Sequence, residues 1–156
     1  MNTNDQITGG VPRISRILVA IDFSPYASNA LQWARSLADA LGAKLILLHV
    51  IDHVPDARVG IPAGQAGVAD RAPLYVLREQ VDEHMAGLKT LMPDAEIVVR
   101  EASPRPAIVD AAVELNCQMI VMGTHGRSGV KHLLLGSVAE YVVSHSKVPV
   151  LTIHAD

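Results

Sequence analysis

Cysteine is nearly missing from these 156 residues: Cys117 stands alone. Neither an internal disulfide framework nor a thiolate zinc site can be built from it, and a reducing compartment is the expected setting. Aromatic residues make up only 3% of the chain, with one Trp, one Phe and three Tyr. That argues against the aromatic platforms on which single-stranded nucleic acids stack. Charge of either sign is also sparse: 13 Lys and Arg against 16 Asp and Glu leave a net charge of -3. Such a balance carries no basic footprint for nucleic acid. No apolar run approaches the ~18 residues that span a bilayer, and Met1 to Arg13 holds no signal-peptide apolar core. The expectation is a cytoplasmic protein without nucleic-acid or membrane partners.

What the chain does have is aliphatic bulk, 49% hydrophobic residues with 19% charged, in a length that suits one folded domain. The pattern alternates between short apolar runs and amphipathic stretches. Ile17 to Ile21 (ILVAI) is β-branched and apolar on both faces, as a buried parallel strand is. Ser24-Pro25 then supplies a cap and a first-turn proline; Ala30, Leu31, Ala34, Leu37, Ala38 and Leu41 recur at helical spacing up to Gly42. Leu45 to Ile51 predicts a second strand, and Leu74, Leu77, Val81, Met85, Leu88 and Met92 a second helix that Pro93 stops. Ala95 to Glu101 alternates, as a strand near a sheet edge does. Ser103-Pro104 repeats the cap-plus-proline start before a third helix carrying Ile108, Ala111, Ala112 and Leu115. Gln118 to Met122 predicts a fourth strand. Ser137, with Glu140 three residues on, has the capping-box pattern of a fourth helix closing near Lys147, and Val150 to Ile153 is the last strand.

Five strands alternating with four helices predict an α/β fold with a parallel sheet covered on both faces. Residues 1–12 read as a disordered tail and 13–156 as one domain, in which 52–73, broken by Pro55, Gly60, Pro62 and Gly64, is a mobile loop insert.

The segment richest in chemistry is Gly123 to Ser137, GTHGRSGVKHLLLGS. It follows the fourth strand and opens the fourth helix, at the carboxyl end of the sheet where open α/β folds take ligands. Glycines at 123, 126 and 136 would let backbone approach a ligand, and the amides of the following helix would cradle an anion. A Walker A loop is excluded, because Gly126-Arg127-Ser128 lacks the lysine and Val121 stands where the first glycine belongs. The dinucleotide fingerprint is excluded too, since the turn after the first strand, Asp22-Phe23-Ser24-Pro25, has no glycine.

The spacing Gly123-x2-Gly126-x9-Gly136-Ser137 resembles the G-2x-G-9x-G-[S/T] motif of the universal stress protein family, in its ATP-binding branch. ILVAID, LLHVID, IVMGTHGRSG, LLLGSVAE and VPVLTI extend the resemblance along nearly the whole chain. The resemblance implies an open five-stranded parallel sheet of order 3-2-1-4-5, Rossmann-like and similar to the adenine nucleotide alpha hydrolases. It implies ATP, with or without Mg2+, as the ligand, and a homodimer formed through strand 150–153, whose exposed edge needs covering. Residue by residue, it places Ala20, Ile21 and Asp22 at adenine and ribose, with the carboxylate near the ribose hydroxyls, and Val50 at adenine. Met122, Gly123, His125 and Gly126 would form one half of the phosphate and ribose site, Gly136, Ser137, Val138 and Ala139 the other. Arg127, in the same loop, is set to pair with phosphate or to stay solvated. Two departures, Ser103 for a common glycine and Gln118 for a common Asp, lie outside the motif.

Seven histidines invite a metal hypothesis, but none of them pair at tight ligand spacing on one element, and His49, inside an apolar strand, reads as a core histidine. Cys117 reads as an inert small residue. No nucleophile, base and orienting group assemble from the motifs, so no catalytic residue is expected. A nucleotide-dependent regulator of stress response or survival is the first functional expectation. A slow Mg-dependent ATP hydrolase using His125 or Asp22, and an interaction module docking an unknown protein partner through the 52–73 loop, are the alternatives.

Overall fold

A computed structural model describes residues 13–52, 74–125 and 135–154. The expected tail, the loop insert beyond Asp52, and Gly126, Arg127 and Lys131 lie outside the described residues. In chain order the elements are β1 (Arg16–Ile21), α1 (Pro25–Leu41), β2 (Lys44–Asp52), α2 (Leu74–Leu91), β3 (Glu96–Ala102), α3 (Pro104–Glu114), β4 (Met119–Gly123), α4 (Ser137–His145) and β5 (Val150–Ile153). The strands form one parallel sheet of order β3-β2-β1-β4-β5, the order that the family resemblance implies.

The register explains how apolar runs become two cores. Ile17 pairs with Leu45 and Met119, and Val19 with Leu47 and Val121, so alternate residues of all three central strands point to the same face. Ile17, Val19, Ile21 and Leu47 pack under α1 and α2, while Leu18, Ile46, Leu48, Ile120 and Met122 pack under α3 and α4. Each fully buried aliphatic side chain contributes about 1.5–3 kcal/mol, so the central strands dominate the stability of the fold.

Helix α1 begins as its sequence dictates. The Ser24 hydroxyl accepts from the Ala27 amide at 3.1 Å, Pro25 occupies the first turn, and Gly42 ends the helix at φ 63°. Its buried stripe is made of alanines, Ala27, Ala30, Ala34 and Ala38, which let the helix axis lie close to the sheet. Leu41, expected on that stripe, is instead 44% exposed, because the small residues carry the contact. Helix α4 ends at His145, two residues before the expected Lys147. There the Ser146 hydroxyl, bonded to the Val148 amide and carbonyl, turns the chain into the last strand.

Gln118, a departure from the family pattern, has a structural task at the opposite end of the sheet. Its side-chain oxygen accepts from the amides of Ser15 and Arg16 and from the Ser15 hydroxyl, each at 3.0 Å, tying the start of β1 to β4. Next to it, burial pushes the Cys117 thiol up from its ordinary range, against the opposing pull of the Arg16 guanidinium.

Candidate functional site

Strands β1 and β4 are neighbours whose following helices leave toward opposite faces of the sheet. The carboxyl ends therefore part to form a crevice, the switch point at which open α/β sheets take ligands. A cavity of about 440 Å³ fills it. Its two ends differ in chemistry.

One end is apolar. Ala20, Leu48 and Val50 share the α3/α4 face by strand alternation, and Ile108 of α3, Met122 of β4 and Val138 of α4 complete the wall. Helix α3 begins here with Pro104-Arg105-Pro106, so among its first three positions only Arg105 has an amide to offer. Ser103 is the cap of α3, as expected, with Pro104 in the first turn. Ser103 has cap-like backbone angles, φ -70° and ψ 125°, but its hydroxyl makes no capping bond, one of the two amides it would accept from having been replaced by Pro106. Ile21 borders the cavity too, although its side chain belongs to the core under α1.

The other end is polar, and here the expected capping box does not form. The cap of α4 is Gly136, at φ -70° and ψ 156°, with no side-chain capping bond, and Ser137 is the first helical residue. A long-range bond decides this shift of one residue: the Gly136 amide donates to the Thr124 carbonyl at 2.7 Å, and the Gly136 carbonyl accepts from Glu140 at 2.9 Å. The amides of Ser137, Val138 and Ala139 therefore open the helix without a side-chain cap, beside an exposed Ser137 hydroxyl, and all three residues line the cavity.

Gly123 and Gly136 also meet close protein neighbours. A Cβ on Gly123 would lie 2.7 Å from the Tyr26 Cβ and 2.9 Å from its carbonyl carbon; one on Gly136 would lie 3.1 Å from the Thr124 carbonyl oxygen. Their bareness seats α1 and α4 against the end of β4, protein against protein, and that approach narrows the crevice.

Asp22 closes its own turn, its Oδ1 accepting from the Ser24 amide at 3.0 Å, and it borders the cavity. Phe23 follows in the left-handed region at φ 61°, its ring stacked on His49 at 4.7 Å and tilted against His84 at 4.9 Å. His49 is the core histidine that the sequence leads one to expect: it is 7% exposed and its Nδ1 donates to the Ile21 carbonyl at 2.6 Å. His125 is buried at the cavity wall.

Nothing in the motif spacing marks Thr124, Tyr26 or His154 as neighbours of this site. Pairing of β4 with β5, with Gly123 opposite Ile153 and the Thr124 amide donating to the Ile153 carbonyl at 2.9 Å, brings His154 beside Thr124. Tyr26 arrives with α1 over the bare Gly123. Among the described residues no group of three metal-ligating side chains converges, and no helix is long and apolar enough to cross a membrane. The arrangement presents a flat apolar slot at one end and a row of uncapped amides and a hydroxyl at the other, which suits a ligand with an apolar ring system and an anionic tail.

Comparison with known proteins agrees with this topology. The profile described as "Universal stress protein family" matches residues 13–154. A universal stress protein from Thermus aquaticus, encoded in the QAH/OAS sulfhydrylase 3' region, is 34% identical over 137 residues, covering 88% of this chain and 96% of the relative. Among solved structures, hypothetical protein MJ0577 superposes with a TM-score of 0.76 at 26% identity, over 93% of this chain and 99% of that one. A universal stress protein in complex with cAMP is similar at TM-score 0.58 and 29% identity, over 92% and 98% of the two chains. The universal stress protein from Archaeoglobus fulgidus in complex with dAMP gives 0.59 and 25%, over 91% and 99%.

Proposed function

The chain belongs to the universal stress protein family, and from that premise we propose that it is a nucleotide-dependent regulator of stress response or survival that binds ATP with Mg2+ in the β1/β4 crevice. The observation that carries this reading is the polarity of the cavity: a donor-poor apolar end beside α3 and an uncapped helix start at α4. Ala20, Val50 and Met122 grip the adenine, and aliphatic walls suffice because a single base needs contact on its faces rather than an aromatic platform. Asp22, with the backbone at Ile21, meets the ribose. Gly123, His125 and the amides of Ser137, Val138 and Ala139 take the phosphates with the Ser137 hydroxyl, while Gly126 and Arg127 join from the loop. Two relatives support the choice of base, since cAMP and dAMP share adenine and one phosphate and differ in the sugar and its linkage. A cavity of about 440 Å³ lies within the usual range for such ligands.

Two further parts of the proposal concern assembly and setting. Strand β5 is half-buried along its length and lies at the sheet edge, which supports a homodimer formed through 150–153. The lone buried Cys117 suits work in the cytoplasm. Calorimetric titration with ATP, ADP and AMP, each with and without Mg2+, tests the ligand; saturable one-site binding of ATP is expected, and absence of binding by all three would overturn the reading. Sedimentation of the full chain at micromolar concentration tests the dimer.

A further inference from the structure

Phe23 holds a backbone conformation that its side chain does not favour. At φ 61° it lies in the left-handed region, which glycine and asparagine enter readily and a bulky L residue rarely does. The strained residue follows Asp22, the carboxylate that borders the cavity. What holds it there is its ring, stacked on His49 at 4.7 Å and 28° and tilted against His84 at 4.9 Å and 45°. Both sides of that clamp are themselves anchored. His49 stands on β2 and its Nδ1 donates to the Ile21 carbonyl at 2.6 Å; His84 stands on α2 and its Nδ1 donates to the Gln80 carbonyl at 2.7 Å. The half-buried Phe23 ring also packs against the core under α1 and α2.

The backbone of Phe23 belongs to the loop that the Asp22 hydrogen bond closes. Asp22 Oδ1 accepts from the Ser24 amide at 3.0 Å, and Phe23 is the residue between acceptor and donor. Its dihedral angles therefore decide whether that amide points at the carboxylate. With the bond made, the Asp22 side chain has one bearing, and its second oxygen is held in place at the cavity rim. With the bond broken, the carboxylate turns among its rotamers. Neither Phe23 nor His84 is among the described residues that line the cavity, so any effect they have on a ligand passes through Asp22.

We propose that Phe23 is a positioning residue for Asp22: its ring, clamped between β2 and α2, holds the left-handed turn that aims the carboxylate at the sugar hydroxyls of a nucleotide. The inference rests on the nucleotide reading for its ligand. It adds that recognition of the sugar depends on helix α2, through a side chain outside the cavity.

The readout is the ratio of the affinities for ATP and for dideoxy-ATP, whose sugar lacks both ring hydroxyls, measured by calorimetry on the full chain. In the wild type ATP should bind about tenfold or more tightly, as the loss of hydrogen bonds to a charged group requires. A ratio near one would overturn the proposal and leave nucleotide binding intact. Phe23→Ala and Phe23→Gly remove the same ring and differ only in the Cβ that strains the turn. Phe23→Ala should weaken ATP alone and bring the ratio to within about twofold of one. In spectra of the ligand-free protein it should also lose the through-hydrogen-bond coupling between the Ser24 amide nitrogen and the Asp22 carboxyl carbon. Phe23→Gly should keep both the ratio and the coupling. Loss of the ratio in both variants would mean that the ring acts on the ligand directly. Retention in both, or equal weakening of the two nucleotides by Phe23→Ala, would mean that the ring only supports the fold; each of these outcomes overturns the proposal. If Phe23→Ala does not fold, His84→Ala, at an exposed position of α2, removes one side of the clamp and should lower the ratio about twofold or more. An unchanged ratio there overturns the proposal as well. Failure of the wild type to bind either nucleotide would overturn the nucleotide reading and sugar recognition with it, while the coupling in the ligand-free protein would still decide whether Phe23 sets the Asp22 turn.

Discussion

Two turns at the top of the sheet, three strand ends apart in sequence yet adjacent in space, start their helices in opposite ways. After β1, Asp22 accepts the Ser24 amide and Ser24 accepts the Ala27 amide, so the start of α1 is closed by its own side chains. After β4, the cap is a glycine, which has no side chain to bond the first amides of α4. The closed start stabilises the fold, whereas the open one leaves electropositive groups for a ligand, at the cost of the roughly 1 kcal/mol that a side-chain cap gives. A third start, at α3, is neither, because Pro104 and Pro106 remove two of its first three amides. Capping chemistry thus sorts the rim of one crevice into closed, open and donor-poor sectors.

Closing the open turn gives the largest expected effect. Gly136→Asp would place a carboxylate at the α4 cap, where a unit charge about 4 Å from a phosphate costs about 4 kcal/mol at an effective dielectric of about 20. Calorimetry should show ATP affinity falling about a hundredfold or more, since each 1.4 kcal/mol is tenfold. An unchanged affinity would mean that the nucleotide is not held at α4. Second comes the contact that sets the two turns side by side: Gly123→Ala drives a Cβ to 2.7 Å from Tyr26 and should destabilise the protein by about 1–3 kcal/mol in urea unfolding. The two serines then separate the roles of the turns. Ser24→Ala should lower stability by about 1 kcal/mol and leave ATP affinity within about twofold. Ser137→Ala should leave stability in place and weaken ATP about three- to tenfold; the reverse pattern would dissolve the contrast.

The smallest effect lies at the far end of the sheet. Burial holds the Cys117 thiol protonated in the folded protein above its ordinary value of 9.0, so the unfolded chain loses that proton first. Stability from this group is present below that value and declines as pH rises past it. Cys117→Ala should therefore show a shallower loss of stability than wild type as the pH rises above 9.0.

How much of this is legible in the sequence depends on distance along the chain. The strands are legible because Ile17 to Ile21 and Leu45 to Ile51 are apolar on both faces, and α1 because Ser24, Pro25 and Gly42 act within a few residues of themselves. The cap of α4 is misplaced by one residue in the sequence because Ser137 and Gly136 are both acceptable caps, and the Thr124 carbonyl that chooses between them comes from the preceding strand. Ser103 caps α3 as its sequence predicts, and the proline at 106 removes one of the two amides its hydroxyl could have bonded. The role of Gly123 depends on Tyr26, and the place of His154 on the register of β4 with β5; neither follows from spacing. Phe23 in the left-handed region carries no sequence mark, since glycine or asparagine is the usual occupant of that conformation.

The tie between Gln118 and the start of β1 sets a clock on synthesis. Its bond to the Arg16 amide spans 102 residues, and β1, the central strand of the sheet, has no β4 to pair with until that stretch is made. At a ribosomal pace of about 10 residues per second, the inner edge of β1 waits about 10 s for its partner. Throughout that interval β1 lacks its partner on one flank, while β2, its neighbour on the other, has already been made. The crevice, which needs both β4 and α4, is among the last parts to form, so any ligand of the crevice can engage only a chain whose sheet is already nearly whole.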